Sequence, residues 1–317
     1  MSYHDKNLKE IIADKTTPES ILELVNKARS STSSLKGGCA ECAVVYADAA
    51  SQEIRLLNTN TPSTLSTTTP ITLVFNGVSN HQNWVLPGGW TIYAEIAKFG
   101  DKIWVVGRKP AQKAIIEFTL SSVCDSVRLS KIMPFSCPPY PNHYFNNIAA
   151  LTAKDSTTLL VTMMLPPMVD PLETWRVLEV DVSGTGAIGT ELYIAPTAPG
   201  ALNSPSYNGT RSIWDMVYLS NGPTLTTNNS VIGANQFGDV TWFDLATGTV
   251  IDQQYYPALK SFAAFCHQGK VYLSSVIPGE IFEVNLSGTT ISVDITNPIT
   301  MPGNPEWQDA ASSPACC

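Results

Sequence analysis

The chain has 317 residues, 44% of them hydrophobic and 15% charged, with a formal net charge of -8 and a pI near 5.0. So many apolar side chains allow one large core in a single domain. The acidic balance, without a basic run anywhere, argues against a nucleic-acid surface, which needs clustered Lys and Arg. No stretch approaches the roughly 18–20 apolar residues of a membrane span.

The first segment, Met1–Lys36, differs from everything after it. Lys6–Ala13 and Pro18–Arg29 read as helices: Thr17 is a good N-cap, Pro18 suits the first helical position and Glu19 favours the dipole. Ile21, Leu22, Val25 and Ala28 form an apolar stripe. Ser30–Gly38 reads as a flexible linker. Residues 1–38 are therefore expected to be a helical arm and linker, either packed on the domain or docked on another protein. Met1–Glu10 lacks the apolar run of a secretory leader, which predicts synthesis in a cytoplasm.

From Cys39 onward the pattern is strands. Ala43–Ala47, Glu53–Asn58 and Pro70–Phe75 come first. Ile92–Phe99, Lys102–Val106, Ala114–Leu120 and Val127–Ile132 form a four-strand unit. A third unit runs from Tyr144 to about Ile194, with Asn147–Leu151, Thr158–Met164 and Arg176–Val182 as its inner strands. A fourth spans Ile213–Tyr256, where Phe237–Leu245 meets an Ala246-Thr247-Gly248 turn. The fifth, Phe262–Ile295, repeats the order most cleanly, with His267-Gln268-Gly269 as its first turn.

The two ends of this series are incomplete. Trp307–Ser312 is a strand with no partners after it, and Ala43–Ala47 lacks an innermost strand before it. Joining them completes one unit. That is the closure of a ring, so residues 39–317 are expected to form an all-β propeller of about five blades, closed by its C-terminal strand. A sixth blade stays open, because the third and fourth units carry long insertions.

Seven cysteines sit oddly with cytoplasmic synthesis. Ring closure brings Cys39 and Cys42 level with Cys316 and Cys317, where a disulfide would replace the missing covalent turn; a zinc site of the same four is the alternative. Cys124 and Cys137 flank the outer strand of the second unit and are expected to form a second bridge. Cys266, on an apolar strand, reads as a buried small hydrophobe.

Two constellations are candidates for function. Loops entering the innermost strands carry His81, Trp84, Trp90, Tyr140, His143 and Tyr207. Aromatic faces with amide neighbours suit sugars, which stack and hydrogen-bond, although packing of long loops would use the same residues. Aligning the innermost strands by their turns puts Glu95, Asn147, Asp215, Ala263 and Asp309 at equivalent positions. Glu95, Asn147, Asp215 and Asp309 then form an oxygen-donor ring fit for Ca2+, a pair of acids for glycoside hydrolysis, or solvated channel groups. No G-x-S-x-G, H-E-x-x-H or phosphate-binding loop is present.

Segments such as "NNIAAL…TTLLVTMM", "SIWDMVYL", "VTWFDLATGTVID" and "GKVYLSSVIPGEIFEVNL" resemble blades of uncharacterised propeller proteins of phages and bacteria. That resemblance implies a non-enzymatic virion structural, decoration or fibre-associated protein. Met1–Lys36 would anchor it to other virion proteins, and the propeller would display a face for a host-surface glycan or protein. Such a protein would be made in the host cytoplasm and its cysteines oxidised later, outside the cell. A second resemblance, to the senescence-marker/gluconolactonase propellers, implies instead a calcium-dependent hydrolase of the lactonase or glycosidase type, with Glu95, Asn147 and Asp215 as ligands. Otherwise no cofactor is expected.

Overall fold

The computed structural model describes residues 43–48, 53–58, 66–75, 78–80, 86, 88–110, 112–137, 148–164, 175–194, 213–220, 229–235, 237–257, 259, 261, 263–275, 277–301 and 307–314. The chain divides into two compact units at Gly38/Cys39. Met1–Gly38, with the expected helices, lies outside the described residues.

The strands run in chain order from β1 (Val45–Asp48), β2 (Glu53–Asn58), β3 (Ser66–Pro70), β4 (Thr72–Phe75) and β5 (Val78–Asn80) to β6 (Thr91–Phe99), β7 (Lys102–Lys109), β8 (Gln112–Leu120) and β9 (Ser126–Ser136). They continue as β10 (Ile148–Ala153), β11 (Thr158–Met164), β12 (Trp175–Asp181), β13 (Ala187–Ile194), β14 (Asp215–Leu219), β15 (Ser230–Ala234), β16 (Asp239–Asp244) and β17 (Thr249–Tyr255). Last come β18 (Ala264–His267), β19 (Lys270–Ser274), β20 (Glu280–Ser287), β21 (Thr290–Val293), β22 (Ile299–Thr300) and β23 (Trp307–Ala311). Among the described residues, antiparallel neighbours build five four-stranded units: β23-β1-β2-β3, then β6 to β9, β10 to β13, β14 to β17 and β18 to β21.

The first sheet closes the circle as expected. Val45 pairs with Ala311, Tyr46 with Ala310 and Ala47 with Asp309. The last strand of the chain is therefore the innermost strand of the first sheet. Tight hairpins set the register elsewhere. Gln268 and Gly269, both at positive φ (50° and 77°), make the two-residue turn between β18 and β19 that matches strand twist.

Period-two alternation then sorts each strand's side chains between two faces, and the faces meet in five clusters. Val45 and Ala47 of β1 pack with Ile96, Ile103 and Val105 of the second sheet. The intervening Trp104 and Val106 turn the other way, onto Leu151, Leu159 and Val161 of the third. Leu160 faces Met216, Tyr218 and Val231 of the fourth sheet, whose Val217 and Ile232 face Ala264, Cys266 and Leu273 of the fifth. Ala263, Phe265 and Tyr272 complete the circuit against Val44, Tyr46 and Ala310. Each sheet is a wall of two cores, and the series returns to its start. This is the architecture of a β-propeller.

One segment departs from expectation. Pro70–Phe75 is not a single outer strand of the first sheet. Through Ile71, whose N–H donates to Ile54 O at 2.9 Å, it still follows β2. Beyond it, β4 leaves to pair in parallel with β9, at Thr72↔Ser126 through Val74↔Arg128. The far end of β9 pairs in parallel with β13. The outermost strand of the second sheet is thus stitched to both neighbours.

The cysteines also differ. Cys137 is a buried free thiol, whereas Cys124 and Cys266 are disulfide-bonded. The expected Cys124–Cys137 bridge does not form, because the two residues bracket the eleven-residue β9. A strand that long holds its ends about 35 Å apart, and bridged Cα atoms must lie within about 7 Å. Cys266 is buried as expected, but as a half-cystine rather than a free thiol. Cys39, Cys42, Cys316 and Cys317 lie outside the described residues. We predict that alkylation of the denatured, unreduced protein labels Cys137 and spares Cys124 and Cys266. Peptide mapping by mass spectrometry checks this; labelling of Cys124 or Cys266 would contradict it.

Candidate functional site: the acids of the inner ring

Asp215 and Asp309 stand at the start of β14 and in the middle of β23, on innermost strands. Both are fully enclosed, 1% and 3% exposed. Each carboxyl does the same two things. One oxygen accepts from the next amide of its own strand: Met216 N–H to Asp215 Oδ1 and Ala310 N–H to Asp309 Oδ1, both at 2.7 Å. The other reaches across to the neighbouring innermost strand. Asp215 Oδ2 accepts from Ala264 N–H, and Asp309 Oδ2 accepts from Ile96 N–H. Ala264 and Ile96 each follow the position equivalent to the acid, so the contact is a repeated device. An acid in one sheet caps an amide of the next.

The position between these two acids in the ring is Ala263. Asp215 and Asp309 therefore flank a residue with no polar side chain, and the charge of Asp215 bears on Asp309. Burial pushes the Asp215 carboxyl up to about 8, against the pull of Asp309 and of the amides. Burial also holds Asp309 well above the ordinary carboxylate range, followed by the charge of Asp215 and, more weakly, of Glu95. Burial and mutual repulsion both disfavour the state in which the two are ionised together.

Further side chains tie β23 and its extension to their neighbours. Ser312 Oγ accepts from Cys266 N–H at 2.7 Å. Ser313 Oγ accepts from Gly100 N–H at 2.8 Å and from the buried Lys98 Nζ at 3.2 Å. Between the third and fourth sheets, Thr162 Oγ1 donates to Ile213 O at 2.9 Å.

Glu95 differs from the other two acids. It lies in a wide bulge of β6, where Ile92 pairs with Gly107 and Ile96 with Val105, leaving three residues of β6 against one of β7. Such a bulge re-aims side chains. Its Oε2 is enclosed without a hydrogen-bond partner. Burial raises its pKa to about 7, while a backbone hydrogen bond and the charges of Arg108 and Lys113 pull it down. Among the described residues no three or more His, Cys, Asp or Glu gather as metal ligands. Asn147 lies outside them.

Of the loop residues singled out for sugar binding, His81, Trp84, Tyr140, His143 and Tyr207 lie outside the described residues. Trp90 is described. It is 8% exposed and packs in the core between the first and second sheets, and Lys109 Nζ sits 4.5 Å from its ring centroid. A polar cavity of about 380 Å³ lies on the third sheet, lined by Thr158, Glu179, Asp181 and Thr190 among others. Its carboxylates have local partners: Glu179 takes Lys154 Nζ and Asp181 takes Ser183 N–H, each at 2.8 Å.

No protein-family model matches the chain, and no curated protein is significantly similar to it. Solved structures with some likeness include WD40 domains. The C-terminal WD40 domain of Sif2 is 14% identical with a TM-score of 0.35, over 86% of this chain and 64% of that one. The WD40 domain of Toxoplasma gondii coronin is 8% identical with a TM-score of 0.37, over 63% and 44%. A chain of the mitotic checkpoint complex is 9% identical with a TM-score of 0.40, over 86% and 68%. The chain thus spans less than two thirds of the length of the first two. Likeness at this level adds nothing to what the sheet topology establishes.

Aligning the strands by their turns located Asp215, Asp309 and the gap at Ala263, but not the amides that the acids hold. Ser312 and Ser313 carry no sequence signal beyond their place at the strand end. Lys98 does carry one, since it follows Ile96 by two and must share a buried face. If the acids and Ser312 fasten sheets together, Ser312→Ala should destabilise the fold by about 1–2 kcal/mol, the cost of one orphaned buried amide. Asp309→Ala, which orphans two amides, should cost about 2–5 kcal/mol. Urea unfolding measures both; equal, negligible effects would count against the fastening role.

Proposed function

We propose that the chain is a non-enzymatic, five-bladed propeller that displays a binding face for protein or glycan and is anchored through Met1–Lys36. The observation that carries this reading is the use made of the ring acids. Asp215 and Asp309, which a calcium-dependent hydrolase would need as ligands or acids, direct their oxygens to backbone amides. A carboxyl held in this way positions sheets rather than a cation. The setting that fits is a virion component. Its support is the blade pattern, the Ser/Thr/Asn-rich composition and the disulfide bonding of Cys124 and Cys266.

A second reading, a channel hydrolase, is favoured by Glu95. An enclosed carboxyl with a pKa near 7 and one unpartnered oxygen has the character of a general acid.

Calcium titration followed by thermal unfolding separates the two. A resident calcium site at a hundredfold excess over its Kd would add about 2.7 kcal/mol. The display reading expects no shift in Tm, and no turnover of lactones or glycosides. A rise of several degrees, or turnover abolished by Glu95→Gln and declining above about pH 7, would replace it with the hydrolase reading. Deleting Met1–Lys36 tests the anchor: the truncated chain should stay folded and fail to join its assembly, and unfolding of the whole chain would contradict that role.

A further inference from the structure

We propose that two disulfide staples fasten the ends of the propeller to sheets other than their own: Cys124 of the second sheet to Cys39 or Cys42, and Cys266 of the fifth sheet to Cys316 or Cys317.

Elimination supplies the partners. The chain has seven cysteines. Cys124 and Cys266 are half-cystines, and Cys137 is a free thiol. Cys124 and Cys266 do not bridge each other. Cys124 packs in the core between the first and second sheets, Cys266 in the core between the fourth and fifth. The first sheet stands between them, with a core on either side. Packed sheets lie about 10 Å apart, beyond the roughly 7 Å that bridged Cα atoms allow. Each half-cystine therefore takes its sulfur from the four cysteines that remain, two before β1 and two after β23.

Topology brings both ends of the chain to these two residues. Leaving β23, Ser312 Oγ accepts from Cys266 N–H at 2.7 Å and Ser313 Oγ from Gly100 N–H at 2.8 Å. Gly100 lies in the turn between β6 and β7. Its neighbour Asp101 accepts, through its carbonyl, from Leu120 N–H at 2.7 Å, at the start of the β8–β9 turn that carries Cys124. That turn is itself fixed, with Ser121 N–H donating to Ser126 O at 2.8 Å and Cys124 N–H to Ser121 O at 2.9 Å. Ala43 and Val44, entering β1, lie past the Val45↔Ala311 pair and so at this same end of the ring. Cys137 follows the other end of β9, and it is the thiol left free.

Two contacts assign the ends. Ala43, next to Cys42, shares a core cluster with Cys124. Ser312, which touches Cys266, precedes Cys316 by four residues, a span of at most about 14 Å. Each bridge forms by thiol–disulfide exchange: two cysteine thiols lose two hydrogens, and a low-molecular-weight disulfide gains them and leaves as two thiols. The gain falls where the ring is closed by backbone pairing alone. β23 pairs with β1 and no other strand, and the Cys266 staple would hold it sideways to the fifth sheet.

The test is alkylation of denatured, unreduced protein, then trypsin and mass spectrometry, on the unaltered chain and on Cys124→Ser and Cys266→Ser. Trypsin places Cys39 and Cys42 in Gly37–Arg55, Cys124 in Ala114–Arg128, Cys266 in Ser261–Lys270, and Cys316 and Cys317 in Val271–Cys317. We expect Cys124→Ser to expose one new thiol in Gly37–Arg55, and Cys266→Ser one in Val271–Cys317. In the unaltered protein, fragmentation should show Ala114–Arg128 joined to Gly37–Arg55 and Ser261–Lys270 joined to Val271–Cys317. That map decides the pairing even if a Ser variant fails to fold. Reduction should lower the Tm of the unaltered protein by about 5 °C or more. The opposite assignment of ends, a Cys124–Cys266 bridge, no new thiol in either folded variant, or an unchanged Tm on reduction would overturn the proposal.

Discussion

The ring exists because five residues at the end of the chain pair with four near its start. The register Val45↔Ala311, Tyr46↔Ala310, Ala47↔Asp309 gives the first sheet its innermost strand. It also supplies the side chains that both adjoining cores require. Ala311 contributes to the core shared with the second sheet and Ala310 to the core shared with the fifth. Two consecutive alanines, facing opposite ways, thus help to close both interfaces of the seam. Small side chains suit that place, where innermost strands converge on the axis.

Closure makes the structure cooperative in a way an open array would not be. A linear stack of sheets has two exposed faces at its ends. Here Val44 and Tyr46 cover one of those faces and Val45 and Ala47 the other, so the apolar alternation of one short strand serves two cores. The lateral parallel pairings of β9 with β4 and β13 add a second circumferential tie, at the outer rim of the second sheet. The edges that an isolated blade would expose are thereby partly consumed, which limits edge-to-edge association.

The repeat order, the circular permutation at the seam and the equivalence of Asp215 and Asp309 were legible because strand alternation and turn chemistry are local signals. Phe262–Ile295 shows both, with apolar alternation and a Gln268-Gly269 turn. The fate of Pro70–Phe75 was not legible: the run is uniformly strand-like, and its division between β2 and β9 depends on where the neighbouring sheet lies. The Cys124–Cys137 pairing erred for a reason that was available in the sequence. Two residues bracketing one strand are the farthest points of that element, not the nearest. The meaning of the ring acids was hidden for a different reason. Carboxyls around a channel satisfy the same pattern whether they hold a cation, catalyse or cap amides. Only the positions of Ile96 N–H and Ala264 N–H distinguish the last case.

Those amides also explain why acids serve here at all. Innermost strands end their sheets, which leaves amides such as Ile96 N–H and Ala264 N–H to side-chain acceptors. A buried amide without an acceptor costs about 1–3 kcal/mol. One carboxyl has enough lone pairs to accept from its own strand and the next, which a serine hydroxyl does less readily. At Ala263 this device is missing. The two flanking acids then bear on one another across the gap: the charge of Asp215 helps to hold Asp309 well above the ordinary carboxylate range. In a ring of equivalent positions, leaving out one acid leaves the two on either side under each other's charge.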